Sequence, residues 1–288
     1  MADGIVVCRE SDVTVFEFYA AHNQIQQNPF YNAVLILSVT LLVGFLGLFL
    51  PKAQATLSRR DIFGDFVMML LVKFGLVGLF FLLPGATQPR QLGLYPLASF
   101  LTLPAPFALL LYLIIRDLGQ WFKHVALHKI PFLWAFHQVH HANASLSIFA
   151  NYRLHVVEIF LGSVVTLATL FITGYPLEYA FIAISFEEGV SMLNHSNLRL
   201  SYGRFFSKVF TSPQNHRIHH SKEHLRLGKE AYNFAILFPL WDLFFGSYFS
   251  DRKVYPAATG VDGEERLEKA GLVGRQWLGF RNAVKALK

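Results

Sequence analysis

The stretch QWFKHVALHKIPFLWAFHQVHH, residues 120–141, carries five histidines at helical spacings inside a chain that is otherwise mostly apolar runs. His124 and His128 are i and i+4 neighbours, and His137, His140 and His141 follow as an HxxHH box. A second HxxHH box, His216, His219 and His220, lies further on, so eight of the twelve histidines fall in three tight clusters. Spacings of three and four put rings on one face of a helical turn, with one ring of each adjacent pair turned somewhat aside. Imidazole is the commonest protein ligand of transition metals, and the clusters offer enough rings to serve two ions. Neutral nitrogens without a thiolate suit iron or zinc rather than magnesium or calcium. Two iron ions fit a redox role, whereas zinc, the ion that isolated protein could carry, supports hydrolytic or structural work.

Outside the clusters the chain reads as a membrane protein. Of its 288 residues 53% are hydrophobic and only 15% charged, too apolar for an ordinary soluble domain. Runs at 33–50, 66–83, 97–115, 156–173 and 177–193 approach the roughly 20 residues that cross a hydrocarbon core. Gly174-Tyr175-Pro176 between the last two predicts a helical hairpin. The expected fold is all-α: a multi-pass transmembrane helical bundle with a cytoplasmic helical cap carrying a histidine-rich dimetal site. It forms a single membrane-embedded domain, with two first spans in 31–96, a histidine-box core in 97–250 and a cytoplasmic or interfacial tail in 251–288.

Asp3, Glu10, Asp12 and Glu17 precede the first run and argue against a cleavable signal peptide. Cys8 is the only cysteine, which excludes an intramolecular disulfide and a thiolate metal site. The net charge is +6, and Lys52, Arg59 and Arg60 follow the first run, so the positive-inside tendency places the N-terminus outside. Counting on through five spans puts all three clusters on the cytoplasmic side, the condition for a joint site. Arg199, Arg204, Lys208, Arg217, Lys222, Arg226 and Lys229 suit a cap resting on anionic headgroups or docking an acidic electron carrier.

The third run continues without a stop to Pro131, giving a rod that crosses the membrane and projects His124 and His128 beyond it. Pro104 and Pro106 are expected to kink this rod within the bilayer. Thr211-Ser212-Pro213 supplies a cap followed by proline at the first helical position, so His216 opens a new helix. The segment 232–249 is interrupted by Pro239, Asp242 and Gly246 and reads as buried or interfacial rather than as a sixth span. Residues 276–288 read as an interfacial helix.

These motifs together resemble the fatty acid hydroxylase and sterol desaturase superfamily of integral-membrane di-iron enzymes. The matching text is His124-Val-Ala-Leu-His128; Trp134-Ala-Phe-His137-Gln-Val-His140-His141; Arg153-Leu-His155-Val-Val-Glu158; Asn194-His195-Ser-Asn197; Ser212-Pro-Gln-Asn-His216-Arg-Ile-His219-His220-Ser221; and Asn233-Phe234 followed by Leu240-Trp-Asp242. The resemblance covers residues 97–250. It implies that the eight boxed histidines are metal ligands, with His195 a ninth, and that His155, Glu158, Asn197, Asn233 and Asp242 orient them by hydrogen bonding. Two places depart from the pattern. Val156 stands where the superfamily usually has proline in His-Pro-x-Glu, and Ala231, with Glu230 beside it, stands where an acid is common. His224 reads as a surface residue, Glu187 and Glu188 as residues that shape the site or mark its rim, and His22 as lying on the opposite side of the membrane.

The resemblance further implies an O2-dependent lipid hydroxylase or desaturase acting on an acyl or sterol-like C–H. No flavin, haem or nicotinamide signature is present, so electrons come from an external carrier, cytochrome b5-like or ferredoxin-like. The implied home is a bacterial inner membrane or the endoplasmic reticulum, and no nucleic acid partner is implied. Two rival readings are a membrane metal transporter or sensor, which would place its ligands near mid-span, and a catalytically inactive lipid-binding member of the same superfamily.

Overall fold

In the computed structural model the described residues are 38, 42, 59–82, 103–144, 146–175, 177–222, 231–250, 256 and 258–288. Cys8, His22, nearly all of the first apolar run, residues 83–100, His224 and Glu230 lie outside them. The described residues form ten α-helices, one 3-10 turn and an isolated bridge between Ser221 and Thr259. The helices are α1 (Arg59–Leu82), α2 (Ala105–Lys129), α3 (Pro131–His141), α4 (Val156–Thr173), α5 (Leu177–Asn194), α6 (Gly203–Phe206), α7 (Pro213–His219), α8 (Leu240–Phe244), α9 (Glu265–Lys269) and α10 (Leu272–Ala286). The 3-10 turn, Ile148–Tyr152, links α3 to α4.

Prolines set where α2 begins and ends. Pro104 is its N-cap residue and Pro106 lies in its first turn, where the missing N–H has no partner to lose. The two prolines therefore start the described helix instead of kinking it, contrary to the sequence expectation. At the other end Ile130 is extended, as a residue before proline prefers, and Pro131 opens α3. One residue thus separates the helix bearing His124 and His128 from the helix bearing His137, His140 and His141.

The hairpin forms as expected: Gly174 ends α4 at φ 64, the left-handed conformation that glycine adopts without strain, and α5 begins at Leu177. Near that end α2, α4 and α5 meet around Ala108, Tyr112, Leu170, Ala180 and Ala183, where small residues let the backbones approach closely. Among the described residues one helix, α4, is long and apolar enough to cross a bilayer. Its Val156, Phe160, Val164 and Phe171 project outward, as do Phe63, Leu70 and Leu71 of α1 and Phe107 and Leu110 of α2. Residues 232–249 do not make a continuous helix, because only the five residues of α8 are helical.

The C-terminal helix is docked rather than lying free. Its Arg275 joins a buried ion cluster, reaching Asp61 at 2.7 Å and Asp65 at 3.5 Å. Arg153 completes the cluster, at 2.8 Å from Asp61 and 2.9 Å from Asp65. Gln276 donates to the Leu154 carbonyl and accepts from the Val156 N–H, both at 2.9 Å. Ala283 packs with Ala135 and Phe136 of α3, while Val273, Trp277, Val284 and Leu287 face outward. One face is thus protein-bound and the other apolar and open.

Gly279 makes this docking close: a Cβ there would lie 2.7 Å from His155 Cδ2, and the His155 ring is held at both nitrogens. Gly279→Ala is expected to destabilise the protein by about 1–3 kcal/mol through overpacking. A lowered thermal midpoint and faster proteolysis at the C-terminal helix would show it, whereas unchanged values would contradict the packing described.

Candidate metal centre

Nine histidines converge, and they sort into two sets. His124, His128, His137, His141 and His219 form one, and His140, His195, His216 and His220 the other; within each, the candidate ligand atoms lie within 4.8 Å of one another. Each adjacent pair is divided, His140 from His141 and His219 from His220. The sequence expectation that one ring of each pair turns aside is therefore corrected, because both rings face inward, one into each set. Neighbouring residues on a helix point about 100° apart, so two sets side by side can each take one.

The five-ring set is held from behind. His124 Nδ1 donates to the Phe234 carbonyl at 2.6 Å and His219 Nδ1 to the Tyr232 carbonyl at 2.7 Å. His137 Nδ1 meets Glu158 Oε2 at 3.0 Å. Each contact fixes the tautomer with a lone pair on Nε2, and the Nε2 atoms of His124, His128, His137, His141 and His219 are buried with no protein partner. Burial pulls His219 down to about 3 and holds His124, His128 and His141 well below the usual imidazole range, so these rings are neutral at pH 7.

In the four-ring set the nitrogens crowd. His195 Nε2 stands 3.2 Å from His140 Nε2 and 3.0 Å from His216 Nε2, and His216 Nε2 stands 3.2 Å from His220 Nε2. His195 Nδ1 donates to the Ser191 carbonyl at 2.7 Å, which leaves its Nε2 a bare lone pair. His216 can give a proton to His195 but then has no lone pair for His220, so protons alone cannot satisfy the chain of contacts. A cation at their centre can. Burial brings His195 down to about 4 and keeps His140, His216 and His220 lower than ordinary imidazole, which preserves those lone pairs. All-nitrogen, buried donor sets of five and four rings fit two borderline transition-metal ions.

Local sequence explains the placement. Ser212 caps α7, accepting from Asn215 N at 3.3 Å, and Pro213 occupies the first turn, as the sequence indicates. Every residue of α7 is buried. Asn233 adopts φ 59, a left-handed conformation that asparagine tolerates. Its side chain donates to the Asn215 carbonyl at 3.1 Å and the Phe249 carbonyl at 2.8 Å. Asp242 accepts from Phe234 N at 3.0 Å, Ala235 N at 2.9 Å and Trp121 Nε1 at 2.9 Å. Asn233 and Asp242 thus act one bond further out than expected: they fix the backbone whose carbonyls at 232 and 234 hold His219 and His124.

Among the five expected orienting residues, Glu158 bonds a ring of the centre directly. His155 has a different task. Its Nδ1 accepts from Val157 N at 3.2 Å as the N-cap of α4, and its Nε2 donates to the Gln276 carbonyl at 3.0 Å. Val156 is the first residue of that helix, the position at which proline is also at home, and its N–H is taken up by Gln276. Asn197 accepts from Arg217 at 3.4 Å.

A cavity of about 210 Å³ opens on both sets, lined by His124 and His137 of one and His140, His195 and His216 of the other. Its remaining wall includes Glu158, Glu187 and Glu188, to which the sequence reading gave roles at the site, and Arg116, Gln120 and Lys123, to which it gave none. Glu187 pairs with Arg116 at 2.8 Å, and Glu188 with Lys73, so both glutamates face protein. Charges inside otherwise apolar runs were the available signal.

Residues 109–247 match the family model described as fatty acid hydroxylase. This histidine-bearing core, just under half of the chain, is thus similar to the fatty acid hydroxylase family. The chain is 25% identical over 161 residues to ornithine lipid hydroxylase OlsE of Rhizobium tropici, covering 56% of this chain and 47% of that protein. It is 28% identical over 141 residues to alkylglycerol monooxygenase of Danio rerio, covering 48% and 30%, and 25% identical over 160 residues to fatty acid hydroxylase vlmA of Lecanicillium, covering 48% and 40%. The chain thus spans less than half the length of each of these relatives. No solved structure matches it.

Glu158→Gln removes the charge behind His137 while keeping its size. It is expected to weaken metal retention about 10–100-fold, the usual effect of losing such a partner. Elemental analysis after graded chelation would show this, and unchanged retention would contradict the role.

Proposed function

We propose that this protein is a membrane-embedded lipid monooxygenase that uses a pair of iron ions, O2 and electrons from an external carrier to hydroxylate a lipid C–H. What carries the reading is the pair of buried imidazole sets opening on one cavity, within a core matching lipid hydroxylases and monooxygenases. His124, His128, His137, His141 and His219 would hold one ion and His140, His195, His216 and His220 the other. Bound there, the pair supplies O2 activation and one-electron chemistry that side chains lack. Hydroxylation places one oxygen atom in the product and releases the other as water, consuming two electrons and two protons from outside the chain.

The protein's own contribution is to hold, exclude and position. Carbonyls 191, 232 and 234 and the Glu158 carboxylate lock ring tautomers, so little rearrangement is needed when charge changes at the centre. Leu154, Ile159, Leu167 and Ile184 give the cavity an apolar lining, which would disfavour water beside the centre. The outward apolar faces of α1, α2 and α4 support a bilayer location for these helices, and by its sequence the run at 33–50 is apolar enough to add a span. The charge asymmetry around that run supports a cytoplasmic location for the histidines. Desaturation would follow if the carbon radical lost a second hydrogen atom instead of gaining oxygen.

Comparative lipidomics of cells with and without the chain, in air and without oxygen, tests this. A lipid heavier by one oxygen atom, or lighter by two hydrogen atoms if desaturated, is expected only with chain and oxygen together, and it should vanish in His140→Ala. Unaltered lipids with the metal-loaded protein present would contradict the proposal.

A further inference from the structure

The cavity beside the imidazoles has a largely apolar lining that nonetheless includes several charged side chains. Lys123 lines it with its ammonium near Gly162, where a Cβ would lie 3.7 Å from Nζ, and Glu158 is close enough to interact with it electrostatically. Lys123 makes no hydrogen bond or ion pair with any described residue. Gln120 and Glu187, which also line the cavity, each bury a side-chain oxygen, Oε1 in both, with no protein partner. The other Glu187 oxygen takes the Arg116 guanidinium at 2.8 and 2.9 Å, and Arg116 Nη1 donates to Thr166 Oγ1 at 2.6 Å. Lys123, which feels the Glu158 and Glu187 carboxylates and whose pKa burial lowers, and two acceptor oxygens without a protein partner thus belong to residues lining the same cavity.

Buried polar groups left without partners are costly, and a hydrocarbon chain would relieve none of them. A group carrying an anion for Lys123 and hydrogen-bond donors for Gln120 and Glu187 would relieve all three. From His124 to Arg116 is eight residues of one helix, about 12 Å, so such a group sits within two or three turns of the imidazoles.

The cavity has an apolar neighbour. A groove of about 480 Å³ lies between α1, α4 and α10, lined by Met68, Leu71, Phe160, Leu272 and Val273 among others. It shares Val72, Ile159 and Ser163 with the cavity beside the imidazoles. The groove walls belong to faces whose Leu71, Phe160 and Val273 are exposed. A hydrocarbon tail leaving that cavity past Val72 and Ile159 would therefore run along an apolar trough open to lipid.

We infer that the substrate is an amphiphile whose polar head, bearing both an anionic group and hydrogen-bond donors, is seated against Lys123, Gln120 and Glu187 while its chain occupies the groove between α1, α4 and α10. This rests on the lipid monooxygenase reading and narrows it, because simple hydrocarbons, alcohols and sterol-like molecules lack such a head. Lys123 and Gln120 are specificity-determining residues in this arrangement, and Arg116 is a positioning residue that aims the Glu187 carboxylate.

The test is binding, which needs no turnover. The purified metal-loaded full chain in detergent is titrated with hexadecane, hexadecanol, palmitic acid and N-palmitoylserine, which share a chain length class and differ in head. N-palmitoylserine is expected to bind most tightly, palmitic acid next, and hexadecanol and hexadecane weakly. Lys123→Met should cost the two anionic probes about 10-fold or more, the usual loss of a charged hydrogen bond, and leave hexadecanol unchanged, with Lys123→Arg restoring much of the preference. Gln120→Leu should reduce the advantage of N-palmitoylserine over palmitic acid. Metal content of each variant confirms that the centre is intact, and the ranking of probes on the unaltered chain stands even where a variant does not fold. Equal affinities for charged and neutral heads, no binding of any probe, or an unchanged preference in a folded Lys123→Met chain would overturn the inference. Head-selective binding without any oxidised lipid would instead leave this site standing and sink the oxygenase reading.

Discussion

The constraint on which the rest of the structure depends is that nine buried imidazoles must keep ring nitrogens facing one another in a dry interior. A buried acceptor without a partner costs about 1–3 kcal/mol, and here many are packed into two small volumes. The arrangement is sound only if cations sit among them, and four of the rings are also held at their other nitrogen. Hence the surrounding detail: Ser191, Tyr232 and Phe234 present carbonyls, Glu158 presents a carboxylate, and Asn233 takes a left-handed turn. Asp242 then pins the amides of Phe234 and Ala235, and Asp117 accepts from Leu237 N at 3.0 Å and Phe238 N at 3.1 Å, so the whole 233–238 segment is fastened to α2 and α8.

The elements far from the rings serve the same end. Helix α3 carries three of the nine histidines and is only eleven residues long, too short to hold its place by itself. It is braced by α10, whose Gly279 and Ala283 permit close contact, and α10 is in turn tied to α1 by Arg275, Asp61, Asp65 and Arg153. Removing one member of such a buried ion group leaves an uncompensated charge, typically a loss of about 3–5 kcal/mol. The chain end beyond residue 250 is therefore part of what positions the metal centre, although it lies outside the family match at 109–247.

Much of this was legible in the sequence because the residue types carry the chemistry themselves. Histidine spacing announced the donor set, Ser212-Pro213 announced α7, and Gly174 with its neighbours bounded the α4–α5 hairpin. What was not legible depended on contacts between distant segments. The division of His140 from His141 follows from where α7 and the end of α5 lie, which no local spacing encodes. Pro104 and Pro106 have the same local meaning in a kink as in a helix start, and only the observed start at Ala105 decides. His155, expected near the ligands, caps α4 and receives α10, a partner more than a hundred residues away in sequence. The pairing of Arg116 with Glu187 was hidden for a similar reason: the two are far apart in sequence and meet only when α2 and α5 pack.

Metal stoichiometry joined to X-ray absorption on the purified protein tests the centre most directly. Two transition-metal ions per chain, each with a first shell dominated by imidazole nitrogen and each showing the other as a heavy-atom neighbour, is the predicted result. A single ion per chain, or a shell built mainly of oxygen or sulfur, would contradict it.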